Sequence, residues 1–252
     1  MARISKSVVG NLSGTLGDIV FHQRNGKVFV RRRPPSFVPG NDPESVDRRL
    51  RFGFSVRLAK AICSIPELKA IWRKATPHGK STFNFIVGTN TKLVNAGSVT
   101  DFTTIVPPWK KPSIAPGFIL NCTAVSISFE AVTVELAPLR KSAGINIKKE
   151  PNAKLVYVLC LRNPVNKSYP DVCFISGASD SKPIALVEDP ASGNSLLTFS
   201  IAISGQDASS VRNYANWNLL LALLTLDTAN NPVKYSNTNQ ATYQPMAKGA
   251  QD

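Results

Sequence analysis

The sequence predicts an α+β fold: an N-terminal β-hairpin plus basic helices, followed by an antiparallel β-sandwich of the Ig-like or jelly-roll-like kind. Three observations predict it. Asn25-Gly26 lies between two runs of β-branched and aromatic residues. Apolar residues between positions 42 and 94 recur at helical spacing behind capping signals. Beyond residue 101, short apolar runs alternate with Pro, Gly and Asn clusters, the rhythm of a sandwich.

The hairpin comes first. Asn-Gly is the preferred pair for a two-residue type I′ turn, because both central positions need positive φ. A turn at Asn25-Gly26 fixes the register: Arg24 faces Lys27, His22 faces Phe29, Val20 faces Arg31 and Asp18 faces Arg33. Alternation then sorts the side chains into two faces. Ile19, Phe21, Gln23, Val28, Val30 and Arg32 form a mostly apolar face expected to meet a core. Asp18, Val20, His22, Arg24, Lys27, Phe29, Arg31 and Arg33 form a cationic face. The Gly-rich leader, with Gly10, Gly14 and Gly17, reads as turns or an irregular arm.

Asp42-Pro43-Glu44 signals a helix start. Val46, Leu50, Phe54, Leu58 and Ile62 recur every four residues as one expected apolar stripe, with Arg48, Arg49, Arg57 and Lys60 off it. Ser64-Ile-Pro-Glu67 matches a capping box, so a second helix is expected there with Leu68, Ile71, Trp72 and Ala75 inward. Pro77-His78-Gly79 ends it, and Ser81–Val94 is a candidate third helix carrying Phe83, Ile86, Val87, Asn90 and Val94 inward.

Expected strands are Phe102–Val106, Ala124–Phe129, Val132–Ala137, Leu155–Leu161, Val172–Ser176, Ile184–Val187, Leu196–Ile203, Leu219–Leu226 and Val233–Tyr235. Leu219–Leu226 is almost wholly apolar and should be buried on both faces. The expected organisation is 1–100 as the basic hairpin-plus-helix region, 101–116 as a Pro-rich linker, 117–243 as the sandwich and 244–252 as a polar tail.

The charge is lopsided. The 252 residues carry 30 Lys and Arg against 16 Asp and Glu, a net charge of +14. Seventeen of those cations and only five of the acids lie in the first hundred residues. Such an asymmetry points to a polyanionic partner. With 43% hydrophobic residues the chain can build a core, and no run approaches the roughly 18 apolar residues of a membrane helix. The first residues lack the apolar core of a secretory signal, so a cytoplasmic or virion location is expected.

No constellation argues for an enzyme, a cofactor or a metal. There are two His, and the four Cys show neither a CxxC pair nor zinc-like spacing. Reduced thiols are expected, with a Cys160–Cys173 disulfide open if their strands pair. No Gly-Lys-Ser/Thr follows Gly10-x-x-x-Gly14, and no Gly-x-Ser-x-Gly elbow occurs.

Leu12-Ser-Gly-x-x-Gly-Asp-Ile-Val-Phe21, Arg24-Asn-Gly-Lys-Val-Phe-Val-Arg31, Arg33-Pro34 and Phe83-Asn84 carry a resemblance. They are similar to an uncharacterised bacterial family seen largely in Bacteroidota. Its members share a Ser-Gly-x-x-Gly-x-Val-Val-Phe … Gly-Lys-x-Tyr-Val-Arg-x-Arg-Pro ribbon, a helical stretch and a β-rich C-terminal part. This chain has Phe29 where Tyr is common, and Pro35-Ser-Phe-Val-Pro39 where relatives often carry a basic, Asn-Pro-containing stretch. The resemblance implies the architecture and supplies no mechanism.

The expected function is a non-enzymatic structural or assembly protein, with a component of a virion or phage-like particle as one version, that meets nucleic acid or another polyanion without sequence preference. The candidate contacts are Arg24, Lys27, Phe29, Arg31 and Arg33 on the ribbon and Arg48, Arg49, Arg57 and Lys60 on the helix. Cations at alternate strand positions lie about 7 Å apart, close to the spacing of backbone phosphates. A homo-oligomer or larger assembly is expected. The alternative is a soluble sandwich that binds a protein or glycan, with the basic region as scaffold.

Overall fold

The computed structural model describes residues 2–4, 14–24, 27–33, 39–108, 117–137, 139–140, 143–184, 186–187, 197–203 and 205–243. It is an α+β protein whose sheets are predominantly antiparallel. The chain divides into two compact units, Met1–Ser45 and Val46–Asp252.

The first unit is a four-stranded sheet. Its strands are β1 (Ala2–Ile4), β2 (Gly14–Leu16), β3 (Ile19–Arg24) and β4 (Lys27–Arg32), in the order β1-β4-β3-β2. The β3–β4 register runs from Ile19 opposite Arg32 to Arg24 opposite Lys27, as a two-residue turn requires. The turn dipeptide Asn25-Gly26 lies outside the described residues. The leader contributes strands on both flanks, where an irregular arm is expected from its glycines. Gly17 explains one of them. It sits at φ 56° in the first central position of the two-residue β2–β3 turn, the place a type II′ turn reserves for glycine.

The apolar face of this ribbon is not the core face its pattern suggests. Among the described residues of the unit only Val28 is buried; Phe21 and Val30 are half-buried and Ile19 is exposed.

The second unit begins with three helices, α1 (Pro43–Ser64, its first turn in the other unit's range), α2 (Pro66–Ala75) and α3 (Thr82–Asn90). Asp42 caps α1 by accepting the Ser45 N–H at 2.8 Å. The four-residue stripe survives only in its second half. Phe54, Leu58 and Ile62 are buried, but Leu50 is 53% exposed. Each i+4 step overshoots a full turn by about 40°, so such a stripe drifts off a straight helix face. Ser55, Ala59 and Ala61 complete the true contact face.

The capping box does not form. Ser64 still belongs to α1, and its hydroxyl donates to the Ala61 carbonyl, so α2 starts from Ile65 without a side-chain cap. The third helix stops at Asn90, though Val94 beyond it is buried as expected.

Phe102–Val106 is not a strand. Thr103, Ile105 and Val106 are buried in a turn-rich segment, and the Ile105 carbonyl accepts the Trp72 indole N–H at 2.8 Å. This stretch therefore packs with the helices and is not a linker; residues 109–116 lie outside the described set.

The strands that follow are β5 (Cys122–Ile127), β6 (Ala131–Leu136), β7 (Leu139–Arg140), β8 (Asn152–Pro164), β9 (Val172–Ala178), β10 (Lys182–Pro183), β11 (Leu186–Val187) and β12 (Leu197–Ala202). A short helix, α4 (Gly205–Arg212), then precedes β13 (Tyr214–Leu226), β14 (Pro232–Tyr235) and β15 (Asn239–Tyr243). The short β7 and β11 pair in parallel. The expected tail, 244–252, lies outside the described residues.

Two 13-residue strands, β8 and β13, pair antiparallel from Tyr214 opposite Pro164 to Leu226 opposite Asn152. Strands β9 and β10 flank β8, while β14 and β15 flank β13, making a six-stranded sheet. Its two faces are buried differently. Leu155, Tyr157, Leu159 and Leu161 join Trp217, Leu219, Leu221 and Leu223 in a cluster with Val132, Val134, Leu136, Phe199 and Ile201 of the three-stranded β12-β6-β5 sheet. Val156, Val158 and Cys160 join Leu220, Ala222 and Leu224 against Phe54, Leu58, Ile62, Leu68, Trp72 and Ile86 of the helices. Burial on both faces accounts for the nearly unbroken apolar run at 219–226.

Gly177 of β9 faces Tyr157 of β8 and leaves room for its ring. A Cβ at Gly177 would meet Tyr157 Cε1 at 2.7 Å. Tyr157 is buried, so Gly177→Ala is expected to lose about 1–3 kcal/mol through overpacking, read as a lower denaturant midpoint. An unchanged midpoint would show that the ring moves aside freely.

Candidate nucleic-acid interface

The ribbon's cationic face is built by β3 and β4. Pairing places His22 opposite Phe29 and Val20 opposite Arg31. The Arg33 N–H donates to the Asp18 carbonyl at 2.5 Å, extending the ladder one residue beyond β4. Lys27, Arg31 and Arg33 are exposed and Phe29 is half-buried. The backbone of Arg24 lies at the end of β3, opposite Lys27; its side chain is outside the described set. Arg32, assigned by alternation to the core face, is exposed too, so the end of β4 presents three consecutive cations to solvent.

Helix α1 carries the second group, in the other compact unit. Arg48, Arg49, Arg57 and Lys60 are all exposed. Arg57 Nη1 also donates to the Val172 carbonyl at 3.3 Å, which ties this guanidinium to the end of β9. Arg51, which flanks the group, is committed elsewhere: its Nε lies 2.6 Å from Asp47 Oδ2.

Among the described residues no carboxylate forms an ion pair with Lys27, Arg31, Arg32, Arg33, Arg49 or Lys60. Like charges at adjacent strand positions repel, and an opposing anion relieves that repulsion.

His22 and His78 are both exposed, one on the ribbon and one in the turn after α2. Among the described residues no three His, Cys, Asp or Glu are grouped to hold a metal ion. Burial pushes the Cys160 thiol up to about 12 and the Cys122 thiol up to about 11, so neither is a thiolate at neutral pH.

All four cysteines are free. The expected strand pairing of the Cys160 and Cys173 segments does occur, but Leu161, not Cys160, faces Cys173. That one-residue offset turns the two thiols to opposite faces of the sheet, which rules out a bond between them. No helix among the described residues is long and apolar enough to cross a membrane.

One cation with a built environment was not picked out from sequence. Arg162, near the end of β8, is half-buried, and its Nη2 donates to Asn218 Oδ1 at 3.0 Å. The available signal was a cation directly after an apolar strand run and before Asn163-Pro164, which reads equally well as a solvated strand end.

No protein-family model matches the chain, and no curated protein matches it in sequence.

Proposed function

We propose that this is a non-enzymatic structural or assembly protein whose basic N-terminal region contacts nucleic acid or another polyanion. The observation that carries the reading is the ribbon: Lys27, Arg31 and Arg33 are exposed beside half-buried Phe29, with no carboxylate paired to those cations among the described residues. Arg24, Arg48, Arg49, Arg57 and Lys60 are the further contacts in this reading. Guanidinium groups take phosphate bidentately, and Phe29 supplies a ring face that could stack on an exposed base. Recognition of this kind follows the backbone, not the sequence. In the same reading the β-rich part is an Ig-like or jelly-roll-like sandwich that tiles copies into an oligomer or a virion-like shell, and the likeness of the N-terminal motif to the Bacteroidota family supports kinship with it.

The test is the salt dependence of binding to duplex DNA. Changing Arg24, Arg31 and Arg33 together to alanine is expected to weaken binding and flatten the log K against log salt slope by up to about 0.9 per lost phosphate contact. An unchanged slope removes the ribbon from the binding surface.

A second reading, a module for a glycan or protein, has one specific support. Phe129 and Tyr243 are partly exposed and both pack on buried Trp217, with ring centroids at 5.3 and 5.0 Å, while Arg212 lies 5.8 Å from the Phe129 ring. Partly exposed rings of this kind suit contact with a sugar or an apolar partner surface. Light scattering separates the two, since a large ordered oligomer favours assembly and a monomer favours the module.

A further inference from the structure

At one end of the six-stranded sheet, on the face the helices cover, the apolar packing gives way to polar residues. The last apolar row there includes Phe174 and Cys160. The next row sets Val172 of β9, Arg162 of β8 and Asn216 of β13 side by side. Arg162 is held from behind. Asn218, only 8% exposed, accepts from Arg162 Nη2 at 3.0 Å and donates through Nδ2 to Thr242 Oγ1 at 3.0 Å. This chain of bonds fixes the Asn218 amide and so the guanidinium plane.

Among the described residues the charge of Arg162 has no ion-pair partner. Its Nε is enclosed without an acceptor. Arg57 reaches the same row, donating from Nη1 to the carbonyl of Val172, the strand partner of Arg162. Asp171, the acid next in sequence to that row, is exposed and ion-pairs with neither. Two guanidinium groups at one sheet end, one of them half-buried and oriented by a buried amide, are costly without an anion.

We infer that Arg162, oriented by Asn218 and assisted by Arg57, binds a single phosphate group. A tetrahedral group carrying between one and two charges matches two guanidinium ions better than a monoanionic carboxylate does. Arg57 also belongs to the polyanion reading, so the site rests on and deepens that reading; Arg162 and Asn218 are not among its contact residues.

Calorimetric titration of the full chain with inorganic phosphate, at ionic strength held constant with chloride, tests it. Saturable binding at one site is expected, with an unfolding temperature that rises with phosphate and not with chloride. Arg162→Gln should weaken the affinity at least tenfold, and Arg162→Lys, which keeps the charge but loses the fork, should fall between. Arg57→Gln, at an exposed position, should weaken it several-fold and keeps the test alive if the Arg162 variants do not fold.

Absence of saturable phosphate binding by the unaltered chain, or an affinity indifferent to both arginines, overturns the inference. Competition by a 5′-phosphorylated single-stranded oligonucleotide, but not by its unphosphorylated form, assigns the phosphate to a nucleic-acid end; competition by neither assigns it to free phosphate. The ribbon variant separates the two proposals: it should leave phosphate affinity unchanged whether or not it alters the DNA salt slope.

Discussion

Trp72→Ala is expected to cost about 3–5 kcal/mol of stability. The indole is fully buried among α1, α3 and the helix-facing side of the long strands. Its ring meets Phe85 edge-on with centroids 5.6 Å apart, and its N–H satisfies the buried Ile105 carbonyl. Truncation opens a large cavity and leaves that carbonyl without its donor, two penalties that add. Trp72→Phe removes the donor but refills most of the volume, so its loss should be clearly smaller. Denaturant midpoints at constant m-value read both losses. A loss below about 1 kcal/mol for the alanine variant would mean that residues 103–106 hold to the helices without Trp72.

The same contact shows where sequence reasoning stops. Phe102–Val106 has the composition of a strand, and nothing local reveals that its carbonyl serves an indole 33 residues upstream. The β3–β4 register, by contrast, was legible because a two-residue loop leaves only one way to pair the flanks. The exposure of Ile19 was not, since alternation names a face without saying what covers it.

The central strands were legible in their apolar middles, not at their ends. β13 runs back to Tyr214 through Asn216 and Asn218, whose polar side chains resemble a loop until the helix-facing rows they occupy are seen. Asn218 and Arg162 lie 56 residues apart, so their bond had no trace in spacing or periodicity. The candidate ribbon residues were legible as a charge pattern. Their lack of carboxylate partners was not, because ion pairs form between segments distant in sequence, as Lys154 with Glu67 does at 2.6 Å.

A second large effect is expected at Glu150, which is 2% exposed. Its Oε2 accepts the Thr225 hydroxyl at 2.5 Å, and its Oε1 accepts the Asn146 N–H and lies 3.3 Å from Lys234 Nζ. Lys234 Nζ also donates to the Gly144 carbonyl, while its backbone N–H donates to Thr225 Oγ1 at 3.1 Å. One carboxylate thus ties the 144–150 segment to the β13–β14 hairpin. Glu150→Ala strands a largely buried ammonium, which should cost about 3–5 kcal/mol. Replacing the pair together, as Glu150→Leu with Lys234→Met, removes both charges and is expected to recover most of that loss, because their desolvation cost disappears with them. A cycle of the four proteins by equilibrium unfolding should give a coupling above about 1 kcal/mol; additivity within about 0.5 kcal/mol would mean that Thr225 and the backbone N–H, not Lys234, hold the carboxylate in place.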